Sequence, residues 1–243
     1  MKKKIIKKIK NKNFQTYGID NNSNFKIYNI KQDYNFSKFD VKISIPGKKN
    51  KFIKSVKIPM IGIHNIRNAT ASLAVAFTIG ISDNFIKKGL KNFKGVQRRF
   101  NFIFKHHDSL FFDDYAHHPT EIKEVLNSVK TVYKNSEIIC VFQPHRISRL
   151  SRLRKEFSKA FIDADRVILC PIYKAGENLK LNFSYKFFAK ELIKNSKVKL
   201  ININNQYDLA KYTNQNIFGK KIVVAMGAGT ISNWIREIPE LLK

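Results

Sequence analysis

The stretch Phe112-Asp-Asp-Tyr-Ala-His-His-Pro-Thr-Glu-Ile122 decides how this chain is to be read. Two aspartates, a tyrosine, a small residue and two histidines stand directly before a proline. Proline suits the first turn of a helix, where its missing N–H is not needed. Upstream, Asn101-Phe-Ile-Phe and Leu110-Phe-Phe read as the arms of a β-hairpin turned at His106-His-Asp-Ser. Downstream, apolar residues at 122, 125, 126 and 129 repeat with the helical period. The polar cluster is therefore expected in a strand-to-helix loop. In an α/β sheet that is the carboxyl edge, where ligands bind. One Asp or one His there would read as a helix cap with solvated neighbours. So many polar groups in a single loop point instead to a site.

Working outward, strand and helix patterns alternate from Phe100 on. Strands are expected at Glu137–Phe142, Arg166–Cys170, 198–203 and Ile222–Met226, and helices at about 149–161, 184–194, 206–213 and from Ile231. Repeated βα units imply a mostly parallel sheet with right-handed crossovers and helices on both faces. The segments Asp113–His118, Gln143–Arg149, Pro171–Glu177 and Gly227–Thr230 each follow a strand, so all four are expected on one carboxyl edge. Before Phe100 the language differs. Residues 1–17 form a basic lead-in, expected partly as an edge strand. Residues 18–60 alternate short apolar runs with Asn, Asp, Pro and Gly, the pattern of antiparallel hairpins. Asn65 is placed to cap an Ala-rich helix running to about Phe77, and Ser82 to start a second one reaching about Phe93. Gly95 reads as a hinge.

A chain of 243 residues with 43% hydrophobic composition has room for one or two domains and a real core. Cys140 and Cys170 sit in apolar strand-like runs and read as buried thiols, which fits a reducing compartment. The longest apolar stretch, Ala69 to Ile81, is too short to span a bilayer. The start MKKKIIKKIK lacks an apolar signal core. A cytoplasmic protein without membrane contact is expected. The net charge of +28 could mean a polyanionic partner. Yet only nine of the 46 basic residues are arginine, and the lysines are spread over every element, as solvated faces would spread them. Nucleic acid is therefore not the expected partner. The arginines concentrate instead, at Arg98 and Arg99 and again at Arg146, Arg149, Arg152 and Arg154. Arginine's rigid fork is hard to replace where a carboxylate or phosphate must be held.

Three further constellations carry chemistry. His64, Asn65 and Asn68 share one end of the Ala-rich helix, and an Asn amide offers both donor and acceptor to a base edge. Gln97-Arg-Arg-Phe lies at the hinge, where an arginine can reach a phosphate oxygen. Arg146 and Arg149 open a helix, where cations oppose the macrodipole, so an anionic ligand is the better reason for them. Pro171-Ile-Tyr-Lys-Ala-Gly-Glu could close the same pocket. Gly227-Ala-Gly is too common to weigh alone. No zinc-ligand spacing, no Ser-His-Asp order and no GxxxxGK[ST] loop is legible.

Taken together, these residues resemble the Mur ligase family. GIHNIRNATASLAVA resembles its adenine-side helix, GVQRRF the link into its third domain, and DDYAHHPTEI, FQPHRISR and IYKAGE successive motifs of that domain. The resemblance implies a Rossmann-like α/β domain over residues 95–243. A partial central, ATP-binding domain over 1–94 would precede it, without its phosphate loop. The implied activity is ATP-dependent joining of L-alanine to UDP-N-acetylmuramate in peptidoglycan precursor synthesis. Asn65, Asn68 and His64 would lie near adenine. Arg99 and Asp114 would contact ribose and the terminal phosphate, with Tyr115 near the nucleotide. His117, Arg146 and Arg149 would hold alanine's carboxylate and the reacting centre. There are two departures: Thr230 stands where an Asp is usual, and the chain corresponds to the family's second half only. The ligands for Mg2+ and the UDP-binding part are expected in the missing N-terminal half, either lost or carried by a separate N-terminal Mur ligase polypeptide. A non-catalytic remnant and a basic nucleic-acid-binding protein are the alternative readings.

Overall fold

The computed structural model describes residues 14–178 and 183–243. It divides into two compact units, Met1–Lys94 and Gly95–Lys243, so the glycine read as a hinge opens the second unit. The basic lead-in up to residue 13 lies outside the described residues.

In the first unit, β1 (Tyr17–Gly18), β2 (Phe25–Asp33), β3 (Phe36–Ile43) and β4 (Lys51–Ile58) form a sheet in that order, with β2 to β4 antiparallel. Alternate residues bury one face: Phe25, Ile27, Phe39, Val41, Ile53, Val56 and Ile58 pack on Ile66, Ala69 and Leu73 of α1 (Ile63–Thr78) and Ile86 of α2 (Asp83–Lys91). Asn65 does not cap α1. The helix starts three residues earlier because Gly62, at φ 97°, turns the chain as N-cap. The Asn65 amide instead donates to Ile61 O at 2.8 Å. Ser82 precedes α2 as expected, but its side chain makes no capping bond, and the helix ends at Lys91 rather than Phe93.

The second unit carries a six-stranded sheet built from β5 (Asn101–His106), β6 (Ser109–Asp114), β7 (Glu137–Phe142), β8 (Arg166–Leu169), β9 (Lys199–Asn202) and β10 (Lys221–Met226). Their spatial order is β5-β6-β10-β7-β8-β9, and only the hairpin strand β5 is antiparallel. Helices α3 (Pro119–Val132), α4 (Ile147–Arg152), α5 (Arg154–Phe157), α6 (Tyr185–Ser196), α7 (Gln206–Asn216) and α8 (Ile231–Leu241) connect them. The connections from β6 through β9 advance across the sheet in one direction, and the return from β9 to β10 reverses it. Right-handed crossovers then put the two sets of helices on opposite faces. The side chains agree. Ile139, Val141, Val223 and Ala225 pack with Leu209, Ile217, Ile231, Ile235 and Ile238 of the return set. On the other face, the Phe142 ring lies 5.8 Å from Phe157 and 5.1 Å from Phe161. With both faces covered, β7 reads as a continuous apolar run.

Two expectations need correction. The helix expected over 149–161 starts earlier, at Ile147, and is broken at Leu153 into α4 and α5. The early start has a cause described below; nothing in the residue pattern explains the break. Asp113 and Asp114 belong to β6 rather than to the loop, because β10 extends the ladder to pair Ala225 with Asp113 and Met226 with Asp114. Met226 also pairs with Phe142, so the chain leaves β6, β10 and β7 at the same level. The loops starting at Tyr115, Gly227 and Gln143 therefore emerge side by side.

Candidate functional site

The two histidines of the opening motif part company. His118 is the N-cap of α3: its Nδ1 accepts from Thr120 N at 3.3 Å, and Glu121 Oε2 accepts from the backbone of His118 at 3.2 Å. This capping box leaves His118 a structural residue. His117 turns the other way. Its Nδ1 lies 2.9 Å from Tyr115 O, and a carbonyl can only accept, so Nδ1 carries the proton and the lone pair of the neutral ring sits on Nε2. Its ring centre is 5.8 Å from that of His145.

His145 was not singled out in sequence, although it lies inside FQPHRISR. It stacks on Tyr173 at 5.6 Å, the two residues joined by a β-bridge. Arg149 Nη1 is 3.3 Å from its Nδ1 and must be the donor, so His145 presents Nε2–H. Burial, and then the Arg149 charge, hold its pKa below the usual imidazole value, so the ring is neutral at pH 7. His145 lies before the N-cap of α4, outside the helix, so no helical spacing in the sequence announced its contact with Arg149.

Arg146, exposed at φ 67°, is the N-cap of α4, and its N–H donates to Tyr173 O at 2.8 Å. The anion expected at this helix N-terminus is in part internal. Glu177 accepts from the Ser148 hydroxyl and from Ser148 N, the latter at 3.1 Å. The Ser148 hydroxyl bond is the main cause that lowers the Glu177 pKa, with Arg146 contributing. This carboxylate cap draws the start of α4 forward to Ile147. Pro171–Glu177 thus closes over Gln143–Arg149, as the sequence suggested.

The glycines after β10 answer to packing. A Cβ on Gly227, at φ 152°, would meet Gln143 O at 2.7 Å, and one on Gly229 would meet Tyr173 Cγ at 2.6 Å. Gln143, also missed in sequence, bonds Thr230 Oγ1 at 3.0 Å and accepts from Ile231 N at 3.1 Å. Thr230 therefore anchors the start of α8.

Around the hinge the adjacent arginines separate too. Arg98 turns inward to Asp113, Gly227 and Tyr115, whereas Arg99 is exposed. Asp114 is only 2% exposed, and its oxygens accept from Phe100 N at 2.8 Å and Ala116 N at 2.7 Å. Burial pushes its pKa up to about 6 against the pull of those N–H groups and of Arg99. Tyr115 is 38% exposed, its ring edge-on to His117 at 5.1 Å. His117, His145, Arg149, Tyr115 and Tyr173 are thus brought together, with Arg146 and Arg99 at the margin. In the first unit, His64, Asn65 and Asn68 share the first turns of α1, and of the three only Asn68 is exposed. Among the described residues, no group of three or more His, Cys, Asp or Glu could hold a metal ion. No helix among them is long and apolar enough to cross a membrane.

A family model described as the Mur ligase glutamate ligase domain matches residues 98–229, and one for the Mur ligase middle domain matches residues 1–76. The chain belongs to the Mur ligase family. It is 63% identical over 240 residues, 99% of its length, to UDP-N-acetylmuramate–L-alanine ligase of Pelagibacter ubique, of which it covers 52%. It is 43% identical over 174 residues, 72% of its length, to the Brachyspira hyodysenteriae ligase of the same name, covering 37% of that protein. Among solved structures, UDP-N-acetylmuramate-alanine ligase from Thermotoga maritima superposes with a TM-score of 0.74 at 26% identity over 93% of this chain and 47% of that one. A murein peptide ligase from Psychrobacter arcticus, at 23% identity and TM-score 0.64 over 93% of this chain and 46% of that one, shares the fold. The chain spans about half the length of these relatives.

Proposed function

We propose that this Mur ligase chain forms the amino-acid side and part of the nucleotide side of an enzyme that joins L-alanine to UDP-N-acetylmuramate at the expense of ATP. Residues 1–94 are assigned to its central domain and 95–243 to its C-terminal domain. The observation that supports this most is the 63% identity, over almost the whole chain, to a relative of that name.

The chemistry fits the side chains on the carboxyl edge. A carboxylate resists attack by an amine until ATP converts it to an acyl phosphate. The amine then displaces phosphate through a tetrahedral oxyanion. Alanine's carboxylate pairs with Arg149 and Arg146, the cations beside the imidazole pair. His117 Nε2, with its lone pair free, takes the proton the ammonium must lose before it can attack. His145 offers a fixed N–H to oxygen, a preorganised donor of the kind that stabilises developing charge. On the nucleotide side, Arg99 reaches a phosphate, while Tyr115 and exposed Asn68 serve ribose and base. Asn65 retains its carbonyl and its second amide N–H for the base, and His64 stays beside it. Asp114 acts through the loop it holds. The phosphate loop, the magnesium ligands and the UDP site belong to the half of the relatives that this chain does not span. ATP and a nucleotide-sugar substrate place the reaction in the cytoplasm.

The test is a chimera in which the first half of the Pelagibacter ubique relative precedes this chain. Phosphate release that requires both L-alanine and UDP-N-acetylmuramate is expected. A folded chimera that releases none would refute the assignment.

A further inference from the structure

Arg98 is the arginine of the Gln97–Phe100 segment whose side chain turns inward, and it touches β6, the loop after β6 and the loop after β10. Its guanidinium donates to Gly227 O, behind β10. Its Nε lies 3.7 Å from Asp113 Oδ2 on β6. The same guanidinium covers the Tyr115 ring at 4.8 Å, a cation–π contact. Its own carbonyl accepts from Tyr115 N at 2.7 Å. Two residues on, Phe100 N donates to Asp114 at 2.8 Å, and the Phe100 ring stacks on Phe112 at 4.2 Å. Arg98 and Phe100 both hold positive φ, 58° and 52°, a conformation that side-chain-bearing residues adopt only when the surroundings impose it. The alternation has a consequence for the residue between them. With 98 and 100 turned in, Arg99 is left on the surface, its N–H fixed by Asn101 Oδ1 at 3.0 Å.

The anchor beneath is equally specific. Asp113 is fully buried and also accepts from Ser232 Oγ at 2.6 Å and Arg236 Nη2 at 3.1 Å, both on α8. Truncating one member of such a buried network leaves the others unpaired.

We propose that Arg98 is a positioning residue for the ligase reaction, setting the direction of Arg99 and the place of Asp114 and Tyr115 by tying the hinge to β6 and to the loop after β10. It touches no reactant itself. The proposal rests on the ligase reading only for its kinetic consequence; the structural link is a property of the chain alone. Lysine at 98 keeps the charge but cannot donate to Gly227, face Asp113 and cover Tyr115 with one planar group.

The test uses Arg98→Lys in two settings. In the 243-residue chain, the Asp114 carboxyl is titrated by carbon NMR. Loss of the Phe100 N–H bond should move its midpoint upward from about 6. Amide exchange at Phe100 and Tyr115 should speed up by tenfold or more, with β7 to β9 unchanged. In the chimera, the KM for ATP should rise about tenfold or more while the KM for L-alanine stays within about twofold. Wild-type titration, exchange and KM values in the variant would overturn the proposal. So would a uniform loss of protection throughout the second unit, which would make Arg98 a residue of general stability. An inactive wild-type chimera would refute the ligase reading and leave the titration and exchange measurements to decide this one.

Discussion

Replacing Asp114 by asparagine should change the pH dependence of stability more than stability itself. The carboxyl group is 2% exposed, and burial raises its pKa from 3.8 to about 6. An acid whose folded pKa lies above its unfolded value binds more protons when folded. Its stabilising contribution is therefore full below the unfolded value of 3.8 and is lost as pH rises through about 6. At 1.36 kcal/mol per unit, that shift amounts to about 3 kcal/mol. Asparagine carries no titratable group, so the loss vanishes in the variant. It also brings an amide N–H against one of the two donors that now serve the carboxylate, Phe100 N and Ala116 N. That mismatch costs about 1–3 kcal/mol at every pH. The variant should thus be the less stable protein near pH 4 and approach or pass the wild type near pH 7.5, the difference moving by about 3 kcal/mol. Urea denaturation followed by Trp234 fluorescence measures it. Trp234 is the sole tryptophan and packs on the core of the second unit. Wild-type and variant curves that stay parallel from about pH 4 to about pH 7.5 would refute the argument.

Gly229→Ala would drive a Cβ to 2.4 Å from Gln143 Oε1 and 2.6 Å from Tyr173 Cγ. The expected cost is about 1–3 kcal/mol in denaturation, with Tyr173 displaced from its stack on His145, which the histidine ring resonances would report. In the chimera, Arg149→Ala should lower alanine-dependent turnover by about 10²–10³, the usual loss for one preorganised charge contact, with ATP binding retained; unchanged alanine kinetics would remove Arg149 from the site. The 243-residue chain alone should form no amide product, because in-line positioning of a phosphate can be worth about 7–11 kcal/mol of barrier; product from the purified chain would place the whole apparatus within it.

The βα series was legible because β7 and β10 are unbroken apolar runs and the helices keep their 3.6-residue period. The edge that carries the site followed from that series alone. What stayed hidden depends on contacts far apart in the chain. Nothing local distinguishes Arg98 from Arg99 or Asp113 from Asp114. Asp113 is buried against Arg98 and against Arg236, which lies 123 residues beyond it. His117 and His118 are separated by a capping box that the sequence does display, in Glu121. Asn65 looked like a cap until Gly62 took the turn, since only glycine holds φ 97° without strain. Glu177 supplied the missing anion at the start of α4 from a loop 29 residues away.

That internal cap narrows what the site can hold. The Glu177 carboxylate already occupies the first backbone donors of α4, at Ile147 and Ser148. In the proposed reaction a substrate carboxylate would use side chains, and Arg146 and Arg149 are the cations beside the two imidazoles. Burial first, and then Arg149, keep His145 neutral, and Arg149 also fixes its proton on Nε2. Tyr115 O fixes the opposite tautomer on His117. Two imidazoles whose centres lie 5.8 Å apart therefore present different faces, one a lone pair and the other an N–H. In the proposed reaction the amino acid has a proton to lose and a carboxylate to hold, and the acyl group that its nitrogen attacks has an oxyanion to steady. The loop after β6 supplies the lone pair, and the loop after β7 supplies the guanidinium and the N–H. Those two loops reach the same edge because β6 and β7 both pair with β10 and all three end at the same level.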